Sequence, residues 1–283
     1  MAARQTYPLD GRPTPYILGH DGDELNRLID QARFFGDLTD EVLGRAGVGP
    51  GMRVLDVGCG TGDVSFLAAR RVGPTGTVLG VDRAPQAVEV AERRAREAGL
   101  TNVSFAVHDV SDLTLTSPVD ALIGRLVLMY LSDPAATLRR LLEQVKPGGV
   151  IAFQEMDMDA ATWEPDCPLL AATGERIIQT FVRAGVDHRT GLKLARIYRN
   201  AGLAAPQTLQ GARVESGPDS PVYAYLAQIT RTLLPLMERT GVATAVESMG
   251  SAPAMTCSIS ATSSTVRANG PTWSSEDAKA ITP

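Results

Sequence analysis

Residues 54–62, Val54-Leu55-Asp56-Val57-Gly58-Cys59-Gly60-Thr61-Gly62, restrict this chain more than any other stretch. An apolar run carrying one acid passes into three alternating glycines. Residues 63–72 follow, with Val64, Leu67, Ala68 and Val72 recurring at helical spacing. The pattern predicts a buried strand, a glycine turn and a helix, the opening unit of a doubly wound α/β sheet. Glycine suits backbone that turns with φ > 0 or lies within contact distance of a ligand. A second acid, Asp82, ends the next apolar run, Val78 to Val81. An acid there suits the two hydroxyls of a ribose.

The glycine spacing helps to choose the ligand. Dinucleotide sites favour G-x-G-x-x-G, which rests a pyrophosphate on a helix N-terminus. Here Asp56 precedes Gly58, Gly60 and Gly62, and Asp63 opens the helix. Carboxylates at 56 and 63 repel a pyrophosphate but can face an ammonium or sulfonium group. The stretch closely resembles the first motif of class I S-adenosylmethionine (SAM) dependent methyltransferases. That resemblance implies SAM as cofactor, with S-adenosylhomocysteine as product.

Further along, the chain keeps the order of that family. Pro85 to Ala98 reads as a helix, and Val103 to Val107 as the third strand, followed by His108, Asp109 and Val110. The resemblance implies that Asp109 accepts a bond from the adenine amino group and that the Val110 N–H meets the ring. A plain turn cap is the alternative for Asp109. Ala121 to Gly124 reads as the fourth strand, Asp133 and Pro134 as a helix start, and Lys146-Pro147-Gly148-Gly149 as the turn into a fifth strand, Val150 to Phe153. In the family, the residues matching Gly124 and Arg125 lie beside the methionine moiety. Tyr16 to Ala32 resembles the entry helix of many small-molecule members, and by that resemblance Tyr16 and Gln31 close over the methionine end, an aromatic packing contact and a solvated glutamine being the alternative. The full expected cofactor set is Tyr16, Gln31, Asp56, Gly58, Gly60, Thr61, Gly62, Asp63, Asp82, Arg83, Asp109, Val110 and Arg125.

The expected fold is thus α/β: a Rossmann-like doubly wound sheet with N-terminal helices and a helical lid inserted after the fifth strand. Residues 1–50 are assigned to an arm and two cap helices, Asp23 to Gly36 and about Leu38 to Leu43. Residues 51–158 form the SAM-binding core, 159–244 the lid and remaining sheet elements, and 245–283 an atypical tail. In the lid, Leu169 to Gly185 and Thr190 to Ala201 read as helices, Pro206 to Val214 as a sixth strand, and Ser220 to Thr240 as a further helix. Residues 255–262 are a weak candidate for a closing strand, and residues beyond about 262, poor in large apolar side chains, are expected to add little stability.

Composition narrows the partners. A net charge of −5 disfavours a large nucleic-acid or anionic-membrane surface. The residues after the fourth strand, Gly124-Arg125-Leu126-Val127, are not the Asn/Asp-Pro-Pro-aromatic string of base-amino methyltransferases. Only three of the 27 basic residues are lysines, which points to a GC-rich genome such as that of an actinobacterium. Three widely spaced cysteines suit a reducing compartment and offer no zinc pattern. No apolar run approaches the ~20 residues that span a bilayer, and residues 1–15 lack a hydrophobic segment. The expectation is a cytoplasmic methyltransferase acting on a small molecule in secondary metabolism. No metal and no nucleic acid are expected, and homodimerisation is left open.

For chemistry, Glu155 at the carboxyl end of the fifth strand is the first candidate base, with Asp157 sharing its face and Tyr130 orienting the acceptor. The competing reading is that Glu155 binds substrate or a backbone amide and positioning supplies the rate. Two further alternatives share the fold: a SAM-binding protein that transfers no methyl group, and a nicotinamide-dependent oxidoreductase.

Overall fold

The computed structural model describes residues 22–164, 167–217, 219–243 and 256–267. Among these residues, eight strands make one sheet in the order β3-β2-β1-β4-β5-β8-β6, with β7 on the other edge of β8. Five strands run parallel: β1 (Arg53–Val57), β2 (Thr77–Asp82), β3 (Val103–Val107), β4 (Val119–Arg125) and β5 (Val145–Met156). The order reverses between β1 and β4, and in open α/β sheets ligands bind at such a switch point, beyond the carboxyl ends of the strands. Helices α2 (Asp63–Val72) and α3 (Pro85–Glu97) connect the first three strands, and α4 (Pro134–Leu142) connects β4 to β5. Asp133 caps α4 by accepting the Ala136 N–H at 2.9 Å, and Pro134 occupies its first turn, as the sequence predicts.

Four expectations are corrected. The two N-terminal helices are one, α1 (Gly22–Ala46). Gly36 is tolerated inside it because Phe34, Phe35, Val42 and Leu43 continue the buried stripe across the glycine. That stripe outweighs the roughly 1 kcal/mol that glycine costs a helix. At the other end of the Rossmann core, α4 stops at Leu142, and Lys146 to Gly149 belong to a register-shifted start of β5.

The third correction concerns the lid. Of its two expected helices, α5 (Pro168–Arg183) does join α1 and α7 (Pro221–Arg239) in a cluster above the carboxyl ends of the strands, built on Phe35, Phe181 and Leu233. Helix α6 (Thr190–Asn200) instead packs Leu194, Ile197 and Tyr198 into the sheet core beside Leu122, Ile151 and Phe153. It is part of the core and not of a cover.

The fourth is the largest. Residues 256–267 form a full strand, β8 (Thr256–Arg267), antiparallel to its neighbours. One edge of β8 pairs with β5, from Val150↔Arg267 to Met156↔Ala261, and then with the short β6 (Thr162–Glu164). Its other edge pairs with β7 (Gln207–Glu215), from Gln207↔Thr265 to Glu215↔Cys257. Ser263 to Arg267 are therefore integral to the sheet. The strand-forming character of β8 lies in its β-branched residues, Thr256, Ile259, Thr262, Thr265 and Val266, and in backbone pairing on both edges, so apolar alternation does not reveal it.

Among the described residues, no helix is long and apolar enough to cross a membrane.

Candidate functional site

Two cavities open side by side at the carboxyl ends of β1, β4 and β5. The first lies over the glycine turn. Gly58, Gly60 and Gly62 have φ of 66°, 52° and 90°, the left-handed region that glycine enters without strain. Their roles differ. Gly58 and Gly60 line the cavity, and a methyl group on Gly58 would collide with Val127 across it. Gly62 does not line it; a Cβ there would lie 2.8 Å from Phe66 and 3.0 Å from Phe105, so this glycine serves helix–sheet packing.

Asp82 ties the turn to β2. Its Oδ2 accepts the Gly60 N–H and its Oδ1 the Ala84 N–H, both at 2.9 Å, and the carboxylate lines the cavity. Beyond it lie Arg83, His108, Asp109, Val110 and Ser111. Asp109 Oδ1 accepts the Ser111 N–H at 2.7 Å, and this bond, helped by the Arg83 and Arg140 charges, holds its carboxyl below the usual range. Asp109 thus caps a turn and also faces the cavity.

The two acids flanking the glycines behave differently from each other. Asp63 lines the cavity, but Arg94 grips its carboxylate in a two-pronged pair at 2.7 and 2.9 Å, and the Thr61 hydroxyl donates to it at 2.9 Å. Asp56 lies beneath the turn and does not line the cavity. It is 1 % exposed, its Oδ2 accepts the Ser65 hydroxyl at 2.6 Å, and its Oδ1 has no hydrogen-bond partner. Burial pushes its carboxyl up to about 7 against the pull of Ser65 and Arg125. Arg125, at the end of β4, lines the cavity and donates to the Thr39 hydroxyl at 3.1 Å.

The second cavity, of about 490 Å³, lies under α1, α5 and α7. Its walls are mostly apolar, from Met129, Met156 and Met158 to Phe181, Leu226 and Ile229, with Asp157 and Asp159 among its few polar groups. Four residues, Arg27, Gln31, Leu126 and Tyr130, line both cavities. Gln31 donates to the Tyr225 hydroxyl at 3.3 Å, and Phe34 stacks on the Tyr225 ring, which joins α1 to α7. Tyr16 lies outside the described residues, so its expected place over the site is not described.

Glu155 is at neither cavity wall. It is 0 % exposed, and its Oε1 accepts the N–H groups of Val127 at 2.9 Å and Leu128 at 2.8 Å, the start of the 3₁₀ turn Leu128–Tyr130. Burial pushes its carboxyl up to about 7. This corrects its expected place beside the reacting atoms: it anchors the septum between the cavities. Leu126, in that septum, has φ 55°, the one non-glycine positive value among the described residues. For a γ-branched residue this is strain of roughly 1–2 kcal/mol, sustained by the bonds on either side. Asp157 and Tyr130 do line the second cavity.

Sequence reasoning missed Arg27 and Leu126. Arg27 is 1 % exposed although charged. The signal was its position on the apolar face of α1, between Leu25 and Leu28. Nothing in the sequence marks Leu126.

A profile of the family described as "Methyltransferase domain" matches residues 49–202, more than half of the chain. The chain belongs to that family. Its relatives include the aklanonic acid methyltransferase of Streptomyces sp. (strain C5), 38 % identical over 40 % of this chain and 52 % of the relative. A ubiquinone biosynthesis O-methyltransferase of Paracidovorax citrulli is 32 % identical over 56 % of this chain and 66 % of the relative. The chain thus spans between about half and two thirds of the length of these relatives. A crystal structure of a SAM dependent methyltransferase from Aquifex aeolicus superposes with a TM-score of 0.51 and 22 % identity, covering 71 % of this chain and 95 % of that one. At that identity the likeness establishes the class I methyltransferase fold.

Proposed function

We propose that this chain is a SAM-dependent methyltransferase of a small-molecule acceptor, with SAM in the first cavity and the acceptor in the second. One observation carries the reading: two cavities at the switch point of the sheet share a wall of four residues, so a donor and an acceptor can meet there. The residues of the first cavity fit SAM. Asp82 faces the cavity where a ribose would present its hydroxyls, and Asp109 with the Val110 N–H and Arg83 suits the adenine end. Left-handed backbone at Gly58 and Gly60 leaves room for close approach, and Thr61 supports the turn. Asp56 does not line the cavity, so it is assigned to the support of the turn through Ser65 and not to the ligand. Asp63, already neutralised by Arg94, acts as a fixed prop for the turn and not as a free counter-ion.

SAM supplies an activated methyl group on a sulfonium whose departure leaves a neutral thioether. The protein's own task is positioning, and proper orientation can lower a barrier by roughly 7–11 kcal/mol. Arg27, Gln31, Leu126 and Tyr130 define the passage between the cavities, and Arg125 stands on its cofactor side. Tyr130, on the 3₁₀ turn that Glu155 anchors, orients the acceptor, and the apolar roof of α1, α5 and α7 excludes water. Proton removal from the acceptor is not assigned to Glu155, whose bonded oxygen is spent on the septum.

The name of the aklanonic acid methyltransferase supports a small-molecule partner and a place in secondary metabolism, and the acidic net charge supports a role without nucleic acid. The cytoplasm remains our proposed location. A calorimetric titration tests the cofactor: S-adenosylhomocysteine should bind and NADH should not, and the reverse would assign the chain to the oxidoreductases. A mass-shift screen for methyl transfer to compound pools then separates an enzyme from a SAM-binding protein without activity. Sedimentation velocity reads the oligomeric state.

A further inference from the structure

Of the four residues that line both cavities, Arg27 is the charged one, and it is 1 % exposed. A guanidinium held at a cavity wall with so little hydration is suited to an anion that enters the cavity. Helix α1 brings it there by packing on the glycine turn: Leu28 Cδ1 lies 3.6 Å from where a Cβ on Gly60 would stand. The sheet gives the cofactor its direction. Asp82 ends β2 and His108 to Ser111 follow β3, both on one side of β1. Arg125 ends β4, on the other side. With the ribose at Asp82 and the adenine at Asp109, the methionine end lies toward β4 and α1.

We propose that Arg27 binds the carboxylate of the cofactor's methionine end, and that through this contact the site tells SAM and S-adenosylhomocysteine from adenosyl thioethers without a carboxylate. The proposal rests on reading the first cavity as the SAM site. The other charged groups near the glycine turn have set tasks. Asp63 is held by Arg94 at 2.7 and 2.9 Å. Arg125 stands in the field of Asp63 and Asp56 and donates to the Thr39 hydroxyl at 3.1 Å, which ties it to the floor of the site. Arg27 comes from the opposite side, on the helix that covers both cavities.

Charge decides which cavity supplies the anion. The wall of the second carries Asp157, Asp159 and Glu175, so an anionic acceptor group beside Arg27 would meet three acids in the same cavity. In the first cavity Asp82 and Asp109 stand at the nucleoside end, and Asp63 is answered by Arg94. The planar guanidinium fork matches a carboxylate through two parallel N–H···O bonds, a geometry that an amine or an ether cannot return. Gln31, one turn further along α1, also lines both cavities. A carboxylate held by Arg27 therefore fixes the cofactor against the helix that roofs the acceptor, and sets the sulfonium at the passage.

The test measures binding, not turnover. The full chain is titrated calorimetrically with S-adenosylhomocysteine and with its decarboxylated analogue, in which an aminopropyl chain replaces the amino-acid chain. The wild type should prefer S-adenosylhomocysteine by roughly 10–100-fold, the usual worth of bonds between charged groups. Arg27→Met keeps a long apolar stem and should bring the two ligands to within about threefold of each other. The analogue itself should bind this variant no more than about threefold weaker than it binds the wild type, which a merely structural loss would not allow. Arg27→Gln should act alike, and it decides if the Met variant does not fold. Arg125→Met should weaken both ligands and leave a preference of at least about tenfold. A wild type that binds the two ligands alike, a preference that survives the loss of Arg27, or one lost with Arg125 and kept without Arg27 would overturn the assignment alone. A wild type that binds neither ligand would overturn the functional reading and the assignment with it.

Discussion

The two cavities share a wall but are built in opposite ways. The first is made by backbone and by short contiguous strings: a glycine turn after β1, an acid at the end of β2, and an acid and an N–H after β3. The second is made by side chains drawn from α1, the end of β5, α5 and α7, elements spread over some two hundred residues. A cofactor shared by a large family can be held by backbone geometry, which tolerates change in the surrounding side chains. On the proposed reading, an acceptor particular to one enzyme is recognised by the side chains of the second half. The septum, Leu126 to Tyr130, belongs to both, and Glu155 holds it from below.

The most severe way to break the comparison is to remove what both halves stand on. Truncation after Thr262 deletes the partners of Val150 to Gln154 and of Gln207 to Leu209. Ligand binding at both cavities should be lost, and the melting temperature should fall by more than about 10 °C, because each kilocalorie lost shifts a domain of this size by roughly 2–4 °C. Differential scanning fluorimetry reads the outcome. A change of only a few degrees would mean that β8 contributes nothing to the sheet.

Acidity strikes beneath the two halves together. Asp56 under the first cavity and Glu155 under the septum both have carboxyls raised to about 7 by burial. Between the unfolded values and pH 7 the native state therefore binds more protons than the unfolded one, and stability falls as pH rises. Urea unfolding should give a chain more stable near pH 5 than near pH 8, by on the order of a few kcal/mol. Glu155→Gln should flatten part of that slope. A stability that rises over the same interval would show that both groups are ionised when buried.

Removing the support of the septum sharpens the division of labour. Glu155→Ala strands the Val127 and Leu128 N–H groups, at about 1–3 kcal/mol each, and should weaken ligands of both cavities. Glu155→Gln keeps the accepting oxygen. Once an acceptor is in hand, its turnover should stay within about threefold of wild type across pH, whereas a lost general base costs ~10²–10⁴-fold. A loss of that size would return Glu155 to the chemistry.

The mildest effect should be confined to one half. Asp82→Ala should weaken S-adenosylhomocysteine by ~1.5–3 kcal/mol in a calorimetric titration, and, once an acceptor is in hand, leave acceptor binding at the second cavity within about threefold of wild type. Equal losses at both cavities would show that the halves are not separable.

How much of this was legible follows the same division. The alternation of glycines with Asp56 and Asp63, the acid at 82 and the acid at 109 specify strands, turns and a switch point through local geometry alone. The sequence therefore determined the Rossmann-like order, the capped start of α4 and the residues around the first cavity. It did not reveal that Asp56 and Gly62 face away from the cavity, since both sit in the same string as residues that line it. Nor could it place Glu155. A carboxylate at a strand's end reads the same whether it faces substrate or a neighbouring loop, and only the path of residues 126–130 decides. The second cavity, the continuity of α1 across Gly36, the burial of α6 and the pairing of β8 were decided by tertiary structure. Each depends on contacts between residues far apart in the chain, and burial, partner and register are set by what packs against an element and not by the element's own residues.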